Sequence, residues 1–200
     1  MLEMSVAGYG DFEPSTEMIS TMSMIPLKKY WRHIGHLHTR SHKLLDIYKH
    51  KDGKYIVGSE ITSTTDHTIF EVVLELKTTP QKSIQHRLKV SYPLHNIDLV
   101  VAAESERGYG IATQLYKYLV TSQHMSILGD EKQYIGARKL WIKLSNDKDV
   151  KVSLVDIDED LVVHDDINID FHGPDDHDFD ENIWSYTDDN KHLRLILQNN

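Results

Sequence analysis

The apolar positions change period several times along the chain, and each period predicts an element. Phe70, Val72, Leu74 and Leu76 alternate with Glu71 and Glu75, the pattern of a half-buried antiparallel strand. Ile84, Leu88 and Val90 alternate with Gln85, Arg87 and Lys89 and predict another. Upstream, KLLDIYK and KYIVGSEI flank His50-Lys51-Asp52-Gly53. Asp-Gly between two apolar runs signals a hairpin, because glycine accepts positive φ. NIDLVVAA is more continuously apolar, as a central strand covered on both faces should be. Elsewhere the spacing is three and four, which predicts helices. Leu27, Tyr30, Trp31, Ile34 and Leu37 give one over 27–42. Ile111, Leu115 and Leu119, with Ala112 and Tyr116 beside them, give a second. Ile135, Ala137, Leu140, Trp141 and Leu144 give a third in EKQYIGARKLWIKLS. MSIL, VKVSLVDI, LVVH, INIDF and LRLIL read as further strands, the last three separated by Asp-rich turns.

That order predicts an α/β (α+β) fold: a mixed, mostly antiparallel central sheet flanked by helices, with a strand-rich acidic C-terminal extension. Residues 1–26, punctuated by Pro14 and Pro26 and carrying several methionines, read as an N-terminal arm that docks on something apolar. Residues 27–157 form the body. Residues 158–200 are expected to pack on it as an ordered extension over one edge or face of the sheet. Ile167, Ile169 and Phe171 alternate there, as do Leu193, Leu195 and Leu197, which disordered acidic tails rarely show.

Composition narrows the classes. At 200 residues and 40% hydrophobic, the chain can bury one sizeable core. No run approaches the roughly 18 apolar residues of a membrane span, and no basic stretch precedes an apolar run near the start as a signal peptide requires. The absence of cysteine excludes disulfides, thiolate nucleophiles and Cys-ligated metals, and fits a reducing, cytoplasmic location. The net charge of -9 is uneven: residues 151–200 hold 14 acids against Lys151, Lys191 and Arg194, while residues 1–150 are close to neutral. An acidic end disfavours nucleic acid and anionic membrane. Two readings stay open for it, a solvated face and a surface for a basic protein partner.

The candidate chemistry lies in VVAAESERGYGIATQLYKYLV, residues 100–120. An apolar run ends in charge at Glu104, and Gly108 and Gly110 precede a helical pattern. Glycines at a strand-to-helix junction allow close approach of backbone to a ligand, and the helix start offers unpaired N–H groups and a positive dipole end. Such a loop is either a phosphate cradle or only a tight turn. A Walker loop is excluded because Ile111 and Ala112 stand where Lys and Ser/Thr are needed. A dinucleotide fingerprint lacks its third glycine and its βαβ setting.

RGYGIATQLYKYL resembles motif A of the GNAT superfamily of N-acetyltransferases, Arg/Gln-x-x-Gly-x-Gly/Ala, through Arg107, Gly110 and Ala112. The family's next helix carries Ala-x-x-Leu-Tyr-x-Lys-Leu-Gly-Phe, and ARKLWIKLS is similar to it through Ala137, Leu140, Lys143 and Leu144. The resemblance spans about residues 43–157, and the arm and acidic end are similar to elaborations of phage-encoded members. It implies an acyl-CoA-dependent N-acyltransferase that passes an acetyl group from acetyl-CoA, or another acyl-CoA, to an amine on a small molecule or protein. The pyrophosphate would sit on the backbone of Arg107, Gly108, Tyr109, Gly110, Ile111 and Ala112. The pantetheine arm would lie beside Val101 and Ala102, where LVVAA and MSIL splay apart, with Trp141 near the thiol.

Trp141 stands where many members place a Tyr that protonates the departing thiolate, and Ser145 and Asn146 replace the closing Gly-Phe. Indole N–H is no acid at neutral pH, so Trp141 is expected to pack as an apolar wall. Tyr134 is the candidate replacement acid, and its plain reading is a helix-surface tyrosine. Glu104 is the candidate base, with His95, Asp98 and Glu106 as neighbours of similar standing, each otherwise a solvated strand-end residue. His33, His36, His38 and His42 in HIGHLHTRSH suit zinc or nickel by type, but no carboxylate lies nearby in sequence, and they read as an exposed polar face. In DFHGPDDHDFDENIW the glycine precedes the acids, so an EF-hand loop fails, and no metal is assigned. Two function classes follow: an N-acetyltransferase, and a catalytically impaired binding or structural module using the same fold, as a virion or host-interaction protein would.

Overall fold

The computed structural model describes residues 30–60, 70–77, 88, 90–103, 106–130, 135–167 and 192–200. The N-terminal arm, most of the segment IQHRLKV, Glu104, Tyr134, Ile169, Phe171 and the acid cluster after Gly173 lie outside those residues.

Nine strands form one sheet: β1 (Trp31–His38), β2 (Leu44–His50), β3 (Tyr55–Glu60), β4 (Phe70–Lys77), β5 (Leu94–Ala102), β6 (Ser126–Leu128), β7 (Val150–Asp156), β8 (Leu161–His164) and β9 (Leu193–Asn199). Their spatial order is β1-β2-β3-β4-β5-β6-β9-β7-β8. Every neighbouring pair is antiparallel except β5 with β6, which α1 (Ile111–Thr121) joins as a crossover. A second helix, α2 (Ile135–Ser145), links β6 to β7. The fold is thus mixed α+β with a mostly antiparallel sheet.

Alternation decides what is buried. Val72, Leu74 and Leu76 of β4 point into the main core with Ile111, Leu115, Leu119, Leu140, Trp141 and Leu144 from both helices. Each helix presents its three- and four-spaced apolar stripe to the same face of the sheet. Flanking helices were expected; the two described helices lie on one face, and among the described residues the other face carries none. Two smaller clusters occupy it, one around Trp31, Val57 and Val73 and one around Leu94, Leu128, Val155 and Ile196. No helix among the described residues is long and apolar enough to cross a membrane.

The hairpin at Asp52-Gly53 forms as its sequence requires: Gly53 has φ 78° and its N–H reaches the His50 carbonyl at 2.9 Å, while Asp52 Oδ1 accepts from the Lys54 N–H at 2.8 Å.

Two expectations change. The segment 27–42 was expected to be helical, yet Trp31–His38 is a strand. Its register on β2 slips between His33 and Gly35, leaving Ile34 as an extra, bulged residue. The bulge sends Trp31 to one face of the sheet and Ile34 and Leu37 to the other, so a bulged strand imitates the three-residue spacing of a helix. The chain end also differs from an extension laid over an edge or face. Residues 193–199 are inserted into the sheet as β9, between β6 and β7, with Leu195 and Leu197 fully in the core.

The bulge is pinned to α1. The Tyr118 hydroxyl donates to the Ile34 carbonyl at 2.8 Å, and Gln123 Nε2 donates to the same carbonyl at 3.0 Å. Gly35 follows with φ 148°, and a Cβ there would overlap the Tyr118 hydroxyl. Gly35→Ala is therefore expected to lower stability by about 2–3 kcal/mol, from backbone strain and overpacking together. Urea unfolding checks this. In a Tyr118→Phe background the same change should cost less, because the clashing oxygen is gone, and a strictly additive double mutant would contradict the stated contact.

Candidate functional site

β5 and β6 pair over three positions only: Leu94 with Ser126, His95 with Ile127, and Asn96 with Leu128. β5 then runs on to Ala102, held by β4 on its other side. No strand lies against the β6 side of residues 97–102 among the described residues. The reason is visible at the end of β6. The Gly129 N–H donates to the Leu195 carbonyl at 2.8 Å, and the buried guanidinium of Arg194 donates to the Gly129 carbonyl at 3.2 Å. Arg194 Nη1 also stands 3.9 Å from Asp130 Oδ1. The chain leaving β6 is committed to β9 and turns away from β5.

The gap is a cleft of about 520 Å³, within the range of small-molecule sites. Ile97, Val100, Ala102, Ile111, Ala112, Ala137, Leu140 and Trp141 give it apolar walls. Arg107, Gly108 and Gly110 lie at the turn from β5 into α1. Gly108 has φ 85° and Gly110 φ 76°, and a Cβ at either would meet nothing within 4 Å. Gly110 is the N-cap of α1 and supplies no side-chain cap, so the first N–H groups of the helix have no intrahelical partner and, among the described residues, no side-chain cap. A β-to-α turn of exposed backbone donors at a cleft is what the paired glycines predict.

The candidate residues do not all converge. Arg107, Gly108, Gly110, Ile111, Ala112, Ala102 and Trp141 line the cleft. Val101 does not: it is the cross-strand partner of Val73, which packs in the cluster on the opposite face, so the pleat turns its side chain away. Tyr109 is half exposed and also lies off the lining. Arg107 folds back, with Nε 3.4 Å from the Ala102 carbonyl. Trp141 is 2% exposed and meets the Tyr116 ring edge-on at 6.2 Å, so it packs as a wall.

Among the neighbouring base candidates, Asp98 lines the cleft where the β4–β5 register slips past it. His95 does not line it, and burial, followed by the charge of Lys49, pushes its imidazole down to about 4. Glu106 is no solvated strand-end residue. It is 2% exposed, with Lys43 Nζ at 2.8 Å from Oε1 and the Ser41 hydroxyl donating to Oε2 at 2.7 Å. Lys43 also reaches Glu71 Oε1 at 3.1 Å, and the Ser41 hydroxyl is itself 2.7 Å from Thr39 Oγ1. This network ties the β1–β2 turn and β4 to the start of the glycine turn. Burial alone would raise the Glu106 carboxyl, but the hydrogen bonds of Lys43 and Ser41 outweigh it and hold it below the usual carboxylate range. Glu106 is the strongest influence raising the Lys43 ammonium; burial opposes it, and Glu71 adds to the rise. A carboxylate so held anchors the turn and is a poor base.

Sequence reasoning missed three cleft groups. Tyr116 on α1 lines the cleft as a buried phenol, and burial, then the charge of Asp130, pushes it well above its ordinary value. Lys139 and Lys143 lie one helical turn apart on α2 and also line it. The lysine spacing was readable; the pairing of Ser41 with Glu106, 65 residues apart, was not. Comparison with known proteins finds no matching family model, no matching curated protein and no matching solved structure.

The anchor has a pH signature. With its folded-state value below its unfolded one, Glu106 contributes stability that is present above about pH 4.3 and lost as pH falls through the lower value. Lys43 acts at the other end: its contribution is present below about pH 10.4 and lost as pH rises through its raised value. Glu106→Gln should cost about 2 kcal/mol at neutral pH and should flatten the acid limb of stability against pH. Urea midpoints across the acid range measure it. Parallel limbs for the variant and the parent would mean that other carboxylates carry the acid loss.

Proposed function

We propose that the chain binds an acyl-coenzyme A in this cleft and transfers its acyl group to an amine. One observation carries the reading: among the described residues, a helix N-terminus without a side-chain cap, preceded by two open glycines, stands at the end of a cleft walled by a strand that lacks a neighbour on that side. Pyrophosphate suits the first feature, since backbone N–H groups and the helix dipole both favour an anion there. Arg107, Lys139 and Lys143 add positive charge along the cleft. An extended, amide-bearing arm suits the second feature, because its N–H and C=O groups fit beside residues 97–102 as a short strand would.

In the reaction, the amine nitrogen attacks the thioester carbonyl, the new C–N bond forms, and the C–S pair leaves on sulfur. Tyr116 stays a neutral hydrogen-bond donor at neutral pH, since its proton is held too tightly for ready release. The attacking nitrogen gives up one proton to water and the departing sulfur takes one from water, and rate comes chiefly from proximity in the cleft. Trp141 favours a second reading, in which the cleft binds coenzyme without turnover, because the matched position holds no acid.

Acetyl-CoA at a hundred times its dissociation constant should stabilise the protein by about 2.7 kcal/mol, read as a rise in melting temperature. Gly110→Asp should abolish that rise at a modest cost in the unliganded melt: a Cβ there meets nothing within 4 Å, the positive φ strains a side chain but aspartate less than most, and its charge opposes the phosphates. Undiminished binding by the variant would reduce the loop to a turn. Trp141→Tyr separates the two readings through thiol release with an amine present. Turnover raised or unharmed, at a stability cost of about 1–2 kcal/mol from lost volume, fits a competent site lacking its acid. A loss of a hundredfold or more, with coenzyme still bound, would give the indole a specific role.

A further inference from the structure

The bulge at Ile34 has a chemical consequence on the sheet face opposite the helices. In an unbroken strand His33 and His36 would point to opposite faces. With one extra residue between them they point to the same face, as the partners of Tyr48 and Asp46 on β2. His33 Nε2 lies 3.1 Å and His36 Nδ1 2.6 Å from the same oxygen, Asp46 Oδ1. The two imidazoles are 4.7 Å apart between ring centroids, and all three donor atoms lie within 4.8 Å of one another. The carboxylate missing near these histidines in sequence is supplied across the hairpin.

We propose that His33, His36 and Asp46 form a binding site for one divalent transition-metal ion of the zinc type. Two imidazole nitrogens and a carboxylate suit zinc, cobalt or nickel, whereas calcium and magnesium take oxygen ligands. Donor atoms around a tetrahedral zinc at about 2.0–2.1 Å are separated by roughly 3.3 Å, so small side-chain shifts from the present distances suffice. Each ring would ligate through the nitrogen that faces Asp46 and keep its proton on the other. The site is also braced. The Tyr48 hydroxyl, 3.4 Å from Asp46 Oδ2, orients the carboxylate, and the Tyr48 ring meets His33 edge-on at 5.3 Å. His33 and His36 side chains are 43% and 53% exposed and Asp46 17%, so the ion has an open approach and a fourth position for water or a partner's donor. The site lies on the other face of the sheet from the helices and does not rest on the coenzyme reading.

The test is calorimetric titration of the untagged full chain with zinc chloride after chelator treatment, with cobalt absorption as a second readout. The expected result is one ion per chain and a cobalt spectrum of tetrahedral type. His36→Ala and Asp46→Asn should each weaken zinc at least tenfold, while His38→Ala and His42→Ala, in the same histidine-rich segment, change it less than twofold. His36, His38 and His42 are exposed and Asp46 is largely covered, so melting curves confirm folded variants, and His33→Gln replaces either ligand variant that fails. Absence of saturable binding, or equal weakening by the two control variants, overturns the proposal.

Discussion

β6 is three residues long and serves two neighbours, and the cleft exists because it cannot serve both for longer. A strand that continued beside β5 would close the gap with a ladder of hydrogen bonds. Instead Gly129 and Asp130 are taken over by β9, through a backbone bond to Leu195 and the buried guanidinium of Arg194. A guanidinium out of water must be matched by acceptors, and here they are the groups that would otherwise have run on along β5. The same constraint that satisfies Arg194 therefore holds the cleft open.

The opposite wall is fixed by a different device. Lys43, Glu71, Glu106 and Ser41 form a charge network whose two carboxylates are 7% and 2% exposed. Buried ion pairs contribute little net stability, because desolvation offsets attraction, but losing one partner is costly. Such a network fixes position more than it adds stability. What it positions is the first residue of the glycine turn, whose backbone must be set before Gly108 and Gly110 can take their left-handed conformations.

Local sequence carried much of this and failed where distance in the chain mattered. The Asp52-Gly53 hairpin, β4, both helices and the glycine turn were legible because each is written in a short stretch with one period. β1 was misread because a bulge changes a period of two into an apparent three. The side-chain direction of Val101 was not legible because the resemblance named a stretch of strand without assigning its faces, and the register on Val73 settles that. The burial of Glu106 and the carboxylate beside His33 and His36 were invisible, since their partners come from other strands. A single sequence says which residues share an element, but says little about which elements share a sheet edge.

β9 shows what that difference means for the site. Read along the chain, residues 193–199 are the end of an acidic extension, far from any motif. In the sheet they are an interior strand, paired with β6 on one side and β7 on the other. The residues matched to a family pattern lie between the two devices that shape the cleft: the β1–β2 turn before them and β9 after them. Those residues supply the donors and walls, yet the opening between them is set by Lys43 and Arg194. A segment ending at Asp156 would keep every motif while losing the strand that holds the end of β6 away from β5. The cleft is thus a property of the whole sheet, and the chemistry of its turn is available only because the β1–β2 turn and β9 are folded against it.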